Sequence, residues 1–239
     1  MNIGITCYPT VGGSGAVATE LGKQLARRGH KVHFVSYRLP FRLDEVSGNI
    51  WFHEVDVASY SLFEHPPQDL ALAAKMAEVS REHRLDLLHV HYAIPFAIAG
   101  LLAKQMLGAA APKLVTTLHG TDITLVGQDR SFFEITRFGI ERSDGVTAVS
   151  EFLRRMTLEE FEVKNPIEVI PNFIDLTTCR PARAYRDRGA FAAPSEKILL
   201  HVSNFRPVKR VLDVVRIFER VSREVPSVLL MVGEGPERA

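Results

Sequence analysis

Cysteine is scarce: two in 239 residues, Cys7 and Cys179, far apart and without CxxC-type spacing. That excludes a disulfide framework and a thiolate metal site. Cys7 falls inside an apolar strand pattern, where a free cysteine packs as a small hydrophobe. No segment approaches ~18 uninterrupted apolar residues, the length that crosses a bilayer. The N-terminus enters a strand pattern at once, with neither the basic start nor the apolar core of a signal peptide. Excess charge is missing too. Against 29 basic residues stand 28 acidic ones, a formal net charge of +1, so no global field selects nucleic acid or a membrane surface. Any anion site has to be local. Short repeats and low-complexity tracts are likewise absent. These absences describe a reduced, cytoplasmic protein with small-molecule partners, and they leave a homodimer open.

What is present is ordinary in bulk: 46% hydrophobic and 24% charged residues, as in soluble globular proteins. The length suffices for one large domain, or one domain and part of another. Apolar, strand-like runs at 2–7, 31–36, 50–57, 87–91, 113–118, 145–149 and 167–170 alternate with helical spacing at 16–28, 70–83, 95–107, 131–142 and 150–161. Gly29 ends the first helix as a C-terminal glycine does, and Ser150 reads as a helix start. Such alternation predicts an α/β fold, a parallel sheet with helices on both faces. Ligands gather beyond the carboxyl ends of such strands, which places chemistry just after Cys7, Val90, Leu118 and Val149.

Composition shifts over 177–195, where Arg180, Pro181, Arg183, Arg186, Arg188, Gly189 and Pro194 interrupt apolar periodicity. A linker or lid is the reading. A fresh strand–helix–strand pattern then runs over 197–202, 208–224 and 228–232. The organisation is therefore a first domain at 1–176, a linker at 177–195, and the opening of a second domain at 196–239.

Four motifs carry chemistry. The first strand leads into Gly12-Gly13-Ser14-Gly15, whose backbone can approach a ligand closely and offers N–H donors at a helix start. Residues 13–18 also satisfy the G-x-G-x-x-A dinucleotide pattern, and Arg38 after the second strand suits a 2′-phosphate. An NADP-dependent oxidoreductase thus stays open, although Pro9 argues against the usual tight turn; so does a turn that holds no ligand. His89 and His91 share one face of a strand end. They are a polar pair or the beginning of a metal site whose third ligand is not visible. His119-Gly120-Thr121-Asp122 closes the next strand and fits a sugar or polyol pocket, against the plainer role of a helix cap by Thr121 or Asp122. Tyr92 faces the same crevice. Arg137 and Arg142, on the following helix, are candidates for an acceptor carboxylate or for a solvated face. Finally, Ser203-Asn204-Phe205-Arg206-Pro207-Val208-Lys209-Arg210 joins a strand to a helix. Arg206 and Lys209 there form a plausible diphosphate clamp.

Taken together, GGSG, HVHYAIP at 89–95, HGTDITLVG at 119–127, VTAVSEFLR at 146–154, VIPNFID at 169–175 and SNFRPVKR at 203–210 resemble the retaining glycosyltransferases of family 4. The resemblance implies a GT-B fold, two Rossmann-like parallel-sheet domains, with the second truncated in this chain. It implies transfer of GlcNAc from UDP-GlcNAc to the hydroxyl of L-malate, the first step of bacillithiol synthesis, without a metal or other cofactor. A family relative with a lipid or inositol phosphate acceptor, or a module that only binds the acceptor, remains an alternative. Carried over by position, Arg206 and Lys209 bind the diphosphate and stabilise its leaving charge, and His119 contacts the transferred sugar. Gly13 and Ser14 approach the diphosphate and acceptor. Tyr92, Thr121, Arg137 and Asn204 complete the substrate-binding set. The family's pair of glutamates eight residues apart does not appear before Ala239, so little or no transferase activity is expected of this polypeptide.

Overall fold

A computed structural model of the chain describes residues 1–44, 48–58, 60–177, 179 and 188–238. The Arg180, Pro181, Arg183 and Arg186 part of the expected linker lies outside the described residues. Two compact units emerge, Met1–Ile174 and Asp175–Ala239.

In the first unit, β1 (Asn2–Thr6), β2 (Lys31–Ser36), β3 (Ile50–Glu54), β4 (Leu87–His91), β5 (Lys113–Leu118), β6 (Gly145–Ala148) and β7 (Ile167–Val169) form one sheet in the order β3-β2-β1-β4-β5-β6-β7. Every pairing is parallel. Successive strands add outward from β1 in one direction and then from β4 in the other. The β1/β4 seam is therefore the topological switch point, where the loops leaving the carboxyl ends part and open a crevice.

The helices are α1 (Gly13–Arg27), α2 (Gln68–His83), α3 (Ile98–Leu107), α4 (Phe133–Arg142) and α5 (Glu151–Phe161). They divide unevenly. Ile3, Ile5, Val32 and Phe34 pack with Ala18 of α1 on one face, while Val35, Leu88, Val90 and Leu114 pack with α2 and α3 on the other. Val146 and Ala148 extend that second face to Ile140 of α4 and Leu153 and Phe161 of α5. Alternation along β2 and β4 enforces the split, since neighbouring residues point to opposite faces. The stretch Ala93–Ala110 is long and apolar enough to cross a membrane by length and composition. Its Phe96, Ala97, Ala99 and Ala103 are buried in the sheet core, whereas Leu102 and Met106 are exposed.

Local chemistry sets the boundaries. Ser150 accepts a hydrogen bond from the Leu153 amide at 3.2 Å and caps α5. Gly29 follows α1 with φ +86°. Two expectations shift: α1 begins at Gly13, three residues earlier than periodicity predicts, because the glycines form its first turn. β3 ends at Glu54, although the buried Val55 still donates to Ser36 across the seam.

The second unit holds α6 (Arg188–Phe191), β8 (Lys197–Val202), α7 (Val211–Ser222) and β9 (Ser227–Val232), with β8 and β9 parallel. The helical pattern expected from residue 208 resolves into a short 3₁₀ turn, Pro207–Lys209, and then α7. Arg210, in a left-handed conformation at φ +52°, separates the two.

Candidate functional site

The loops at the carboxyl edge of the first sheet carry most of the expected residues. After β1, Gly13 stands exposed at the start of α1, and a side chain added there would meet open space. Gly15 is the opposite case: a Cβ would come within 2.5 Å of the Tyr8 carbonyl. Glycine at 13 thus leaves room outside, and glycine at 15 lets the helix seat against the strand. No side chain caps α1, and its first turn holds no acidic residue. Its N–H groups and positive dipole end therefore face outward at Gly13 and Ser14.

After β4 and β5 the polar groups interlock. His89 and His91 stack on one strand face, centroids 4.5 Å apart, and His91 stacks in turn on His119 at 5.1 Å. The Nδ1 of His91 and the Nε2 of His119 are 2.9 Å apart. Tyr92 stacks on His119 at 5.6 Å, and its hydroxyl shares a 2.9 Å hydrogen bond with Thr121. His89 Nε2 reaches the Thr117 hydroxyl at 2.7 Å, which reaches Thr147 at 2.7 Å. A polar ladder therefore crosses three strands on the α1 side of the sheet.

His119 is thus the third ring beside His89 and His91. What it adds is a hydrogen bond rather than a shared ligand point, so the pair belongs to a stacked network. The Nε2 of the fully buried His91 has no hydrogen-bond partner among the described residues. Burial lowers the pKa of His119 to about 4, assisted by His89, and lowers His89 to about 4. His91 is pushed well below the usual range, first by burial and then by both neighbouring rings. At neutral pH the three are uncharged imidazoles.

Asp122 corrects the expectation of a sugar-facing carboxylate. It is fully buried and accepts from the amides of Gly120 at 2.8 Å, His119 at 3.2 Å and Ala93 at 3.2 Å. It ties the β4 loop to the β5 loop, which is neither of the two readings, since no side chain caps the helical turn that follows. Burial raises its pKa, and the amides oppose that rise. Tyr92 sits beside this tie at φ +107°, outside ordinary side-chain territory. Its ring is held by Tyr8, 5.2 Å away edge-on, and by His119. Arg137 does not join the cluster. Its Nε pairs with Glu141 at 3.4 Å along α4, while Arg142 lies over the Phe138 ring at 5.5 Å.

The second unit holds Asn204, Arg206 and Lys209 in the loop after β8. Their backbone is fixed by the turn after β9: Phe205 donates to Glu234 at 2.9 Å and accepts from Glu237 at 3.0 Å. Gly233, at φ +149°, is obligatory there, because a Cβ would lie 1.8 Å from the Ser203 carbonyl. Phe205 is buried beneath the loop, and Arg206 and Lys209 are exposed. Arg210 pairs with Asp213 at 2.6 Å, whereas no ion pair engages Arg206 or Lys209 among the described residues. Sequence reading missed Asp122's tie, the Thr117–Thr147 rung and the glycines after β9. Only the run Gly233-Glu234-Gly235 signalled the last of these.

Residues 11–178 match the model of Glycosyltransferase Family 4. The chain belongs to glycosyltransferase family 4. It is 56% identical to the N-acetyl-alpha-D-glucosaminyl L-malate synthase of Bacillus anthracis over 99% of its own length and 62% of the relative's. Among solved structures it resembles a glycosyltransferase from Rickettsia africae, with a TM-score of 0.73 and 22% identity over 97% of this chain and 60% of that one. It also resembles Anabaena HepE in complex with UDP and glucose, with a TM-score of 0.65 and 15% identity over 97% of this chain and 69% of that one. These likenesses fix the fold as GT-B. They also remove the dinucleotide reading of the glycine loop. At the end of β2, Ser36 is buried and donates to the Cys7 carbonyl at 3.1 Å, where a dinucleotide site would place its ribose-binding acid.

Proposed function

We propose that this protein transfers GlcNAc from UDP-GlcNAc to the hydroxyl of L-malate with retention of the α configuration, the first step of bacillithiol synthesis. The observation that carries the reading is the 56% identity to a relative named for that product, sustained over 99% of this chain. The chain spans 62% of that relative's length. A reducing, cytoplasmic setting suits its two free cysteines.

The geometry supports a division of labour. Arg206 and Lys209, exposed and without ion pairs among the described residues, supply positive charge to a departing diphosphate. Charge aimed at a developing anion is the largest available catalytic term, and two exposed cations fill the place a metal takes elsewhere. Asn204, on the same loop, offers an amide to the donor. His119, uncharged at neutral pH, meets the sugar as a neutral hydrogen-bonding ring and not as a cation. The amides at Gly13 and Ser14 meet an anion at the start of α1. Tyr92 and Thr121 hold one another and offer hydroxyls to the acceptor. Arg137 can serve the malate carboxylates only by leaving Glu141.

Calorimetry with L-malate, an inositol phosphate, UDP and NADPH tests the reading, alongside mass detection of a GlcNAc-malate product. Saturable malate binding is the expected result, with product of that mass from a polypeptide that also carries the family's glutamate pair. Binding of an inositol phosphate or NADPH with none of malate overturns it.

A further inference from the structure

On the opposite face of the first sheet stands a second group of histidines, untouched by the transfer chemistry. His33 comes from β2, His53 from β3 and His83 from the last residue of α2. Each offers one ring nitrogen, and the three nitrogens lie within 4.8 Å of one another. We propose that His33, His53 and His83 form a binding site for a borderline divalent transition metal, zinc(II) by preference.

Several distances agree with that assignment. His33 Nδ1 and His53 Nε2 are 3.0 Å apart, a hydrogen bond that would lose its proton when both nitrogens bind one ion; two imidazoles on one zinc ion, at ~2.05 Å each, have nitrogens roughly 3.3 Å apart when tetrahedral. An imidazole centre lies just over an ångström beyond its nitrogen. Rings sharing one ion therefore have centres roughly 4.5–5.2 Å apart for bond angles between ~90° and ~109°. The three observed separations are 4.4, 5.0 and 5.3 Å. Donor nitrogens within 4.8 Å of one another reach the ~3.3 Å of a shared ion by side-chain movement of up to about 1.5 Å.

The supports are in place. Trp51 stacks on His33 at 4.8 Å and 12°, fixing the ring plane. Asn2 donates its side-chain amide to the His83 carbonyl at 2.9 Å and to the Arg84 carbonyl at 3.2 Å, anchoring the end of α2 beside β1. Glu78 and Glu82 of α2 act favourably on charge at His53, opposed by Lys75. Glu78 is itself paired with Lys75 at 2.6 Å, which leaves the fourth position to water. Three neutral nitrogen donors select zinc, nickel or copper over calcium or magnesium.

Location argues for a structural ion. The trio lies on the α2 side of the sheet, whereas the His91–His119 stack lies on the α1 side. An ion there would cross-link the edge strand β3 to β2 and to α2.

The test uses the untagged chain, stripped with a chelator and titrated with zinc(II), and separately with cobalt(II) for its visible ligand-field bands. One ion per chain at micromolar Kd or tighter is expected, with Tm rising by about 5–10 °C at a hundredfold excess over Kd. His83→Gln and His53→Gln should each weaken binding at least ~tenfold, and His119→Gln should leave it unchanged. His83 ends a helix at partial exposure, so His83→Gln decides the matter if His53→Gln fails to fold. Absence of saturable 1:1 binding, or equal affinity in the folded His83→Gln variant, overturns the proposal.

Discussion

The two units use one device, a strand, a turn and a helix, in contrasting ways. At the carboxyl edge of the first sheet the polar side chains bond mainly to each other. His91 holds His119, Tyr92 holds Thr121, and Asp122 holds three amides. In the loop after β8 the order comes from the backbone and from the glycines of the turn after β9, and Arg206 and Lys209 have no ion pair among the described residues. The first arrangement fixes orientation before any ligand arrives, which is how neutral donors become specific. The second leaves charge unsatisfied, and that is what attracts a diphosphate. Preorganisation and electrostatic appetite are separated along the chain.

Acid should break the first region most severely. The pKa of His119 and of His89 is about 4 in the folded protein, below the ordinary ~6.5 of the unfolded chain, and that of His91 is also pushed well below that range. The unfolded chain therefore binds more protons between those values, so stability falls as pH drops. Urea titrations should show about 1 kcal/mol lost per histidine between pH 7 and 5.5, with the loss continuing below that and levelling off as pH passes 4. A flat profile over that range would sink the picture of a neutral imidazole stack.

Removing the tie comes next. Asp122→Ala leaves the Ala93, His119 and Gly120 amides without their acceptor and should cost about 3–4 kcal/mol by denaturant unfolding. A loss under ~1 kcal/mol would mean the loops hold themselves. The second region should respond in the opposite sense. Arg206→Ala should leave unfolding stability within ~0.5 kcal/mol, since the side chain is exposed and unpaired, yet reduce any measured kcat/KM by ~10²-fold. If stability fell and UDP affinity held, the contrast between the two loops would be wrong. The smallest effect belongs to Tyr92→Phe, which deletes one hydroxyl bonded to Thr121. About 1 kcal/mol of stability, with a raised KM for malate, is expected; an unchanged KM would remove Tyr92 from the acceptor site.

Much of this was legible from residues alone. The strands at 31–36, 87–91, 113–118 and 197–202 are where apolar periodicity puts them, because a buried parallel strand must be apolar through its length. Helix starts were less legible. A glycine-rich first turn at α1 and a left-handed Arg210 before α7 are backbone choices that hydrophobic period does not encode. HGTD announced polarity but not its use: whether Asp122 faces a sugar or three amides depends on where Ala93 lies, and Ala93 comes from another strand.

The histidines show the same division. Sequence placed His89 and His91 on one face through the two-residue repeat of a strand, and it placed Arg206 and Lys209 at a strand–helix junction through turn chemistry. It also carried the family, since the motifs are local runs. Only the tertiary structure brought His119 to His91 across 28 residues and gathered His33, His53 and His83 from two strands and a helix. Side-chain period is a local property of the backbone, whereas strand order and helix docking are set by burial of the whole sheet. No spacing along the chain records which histidines that burial will bring face to face.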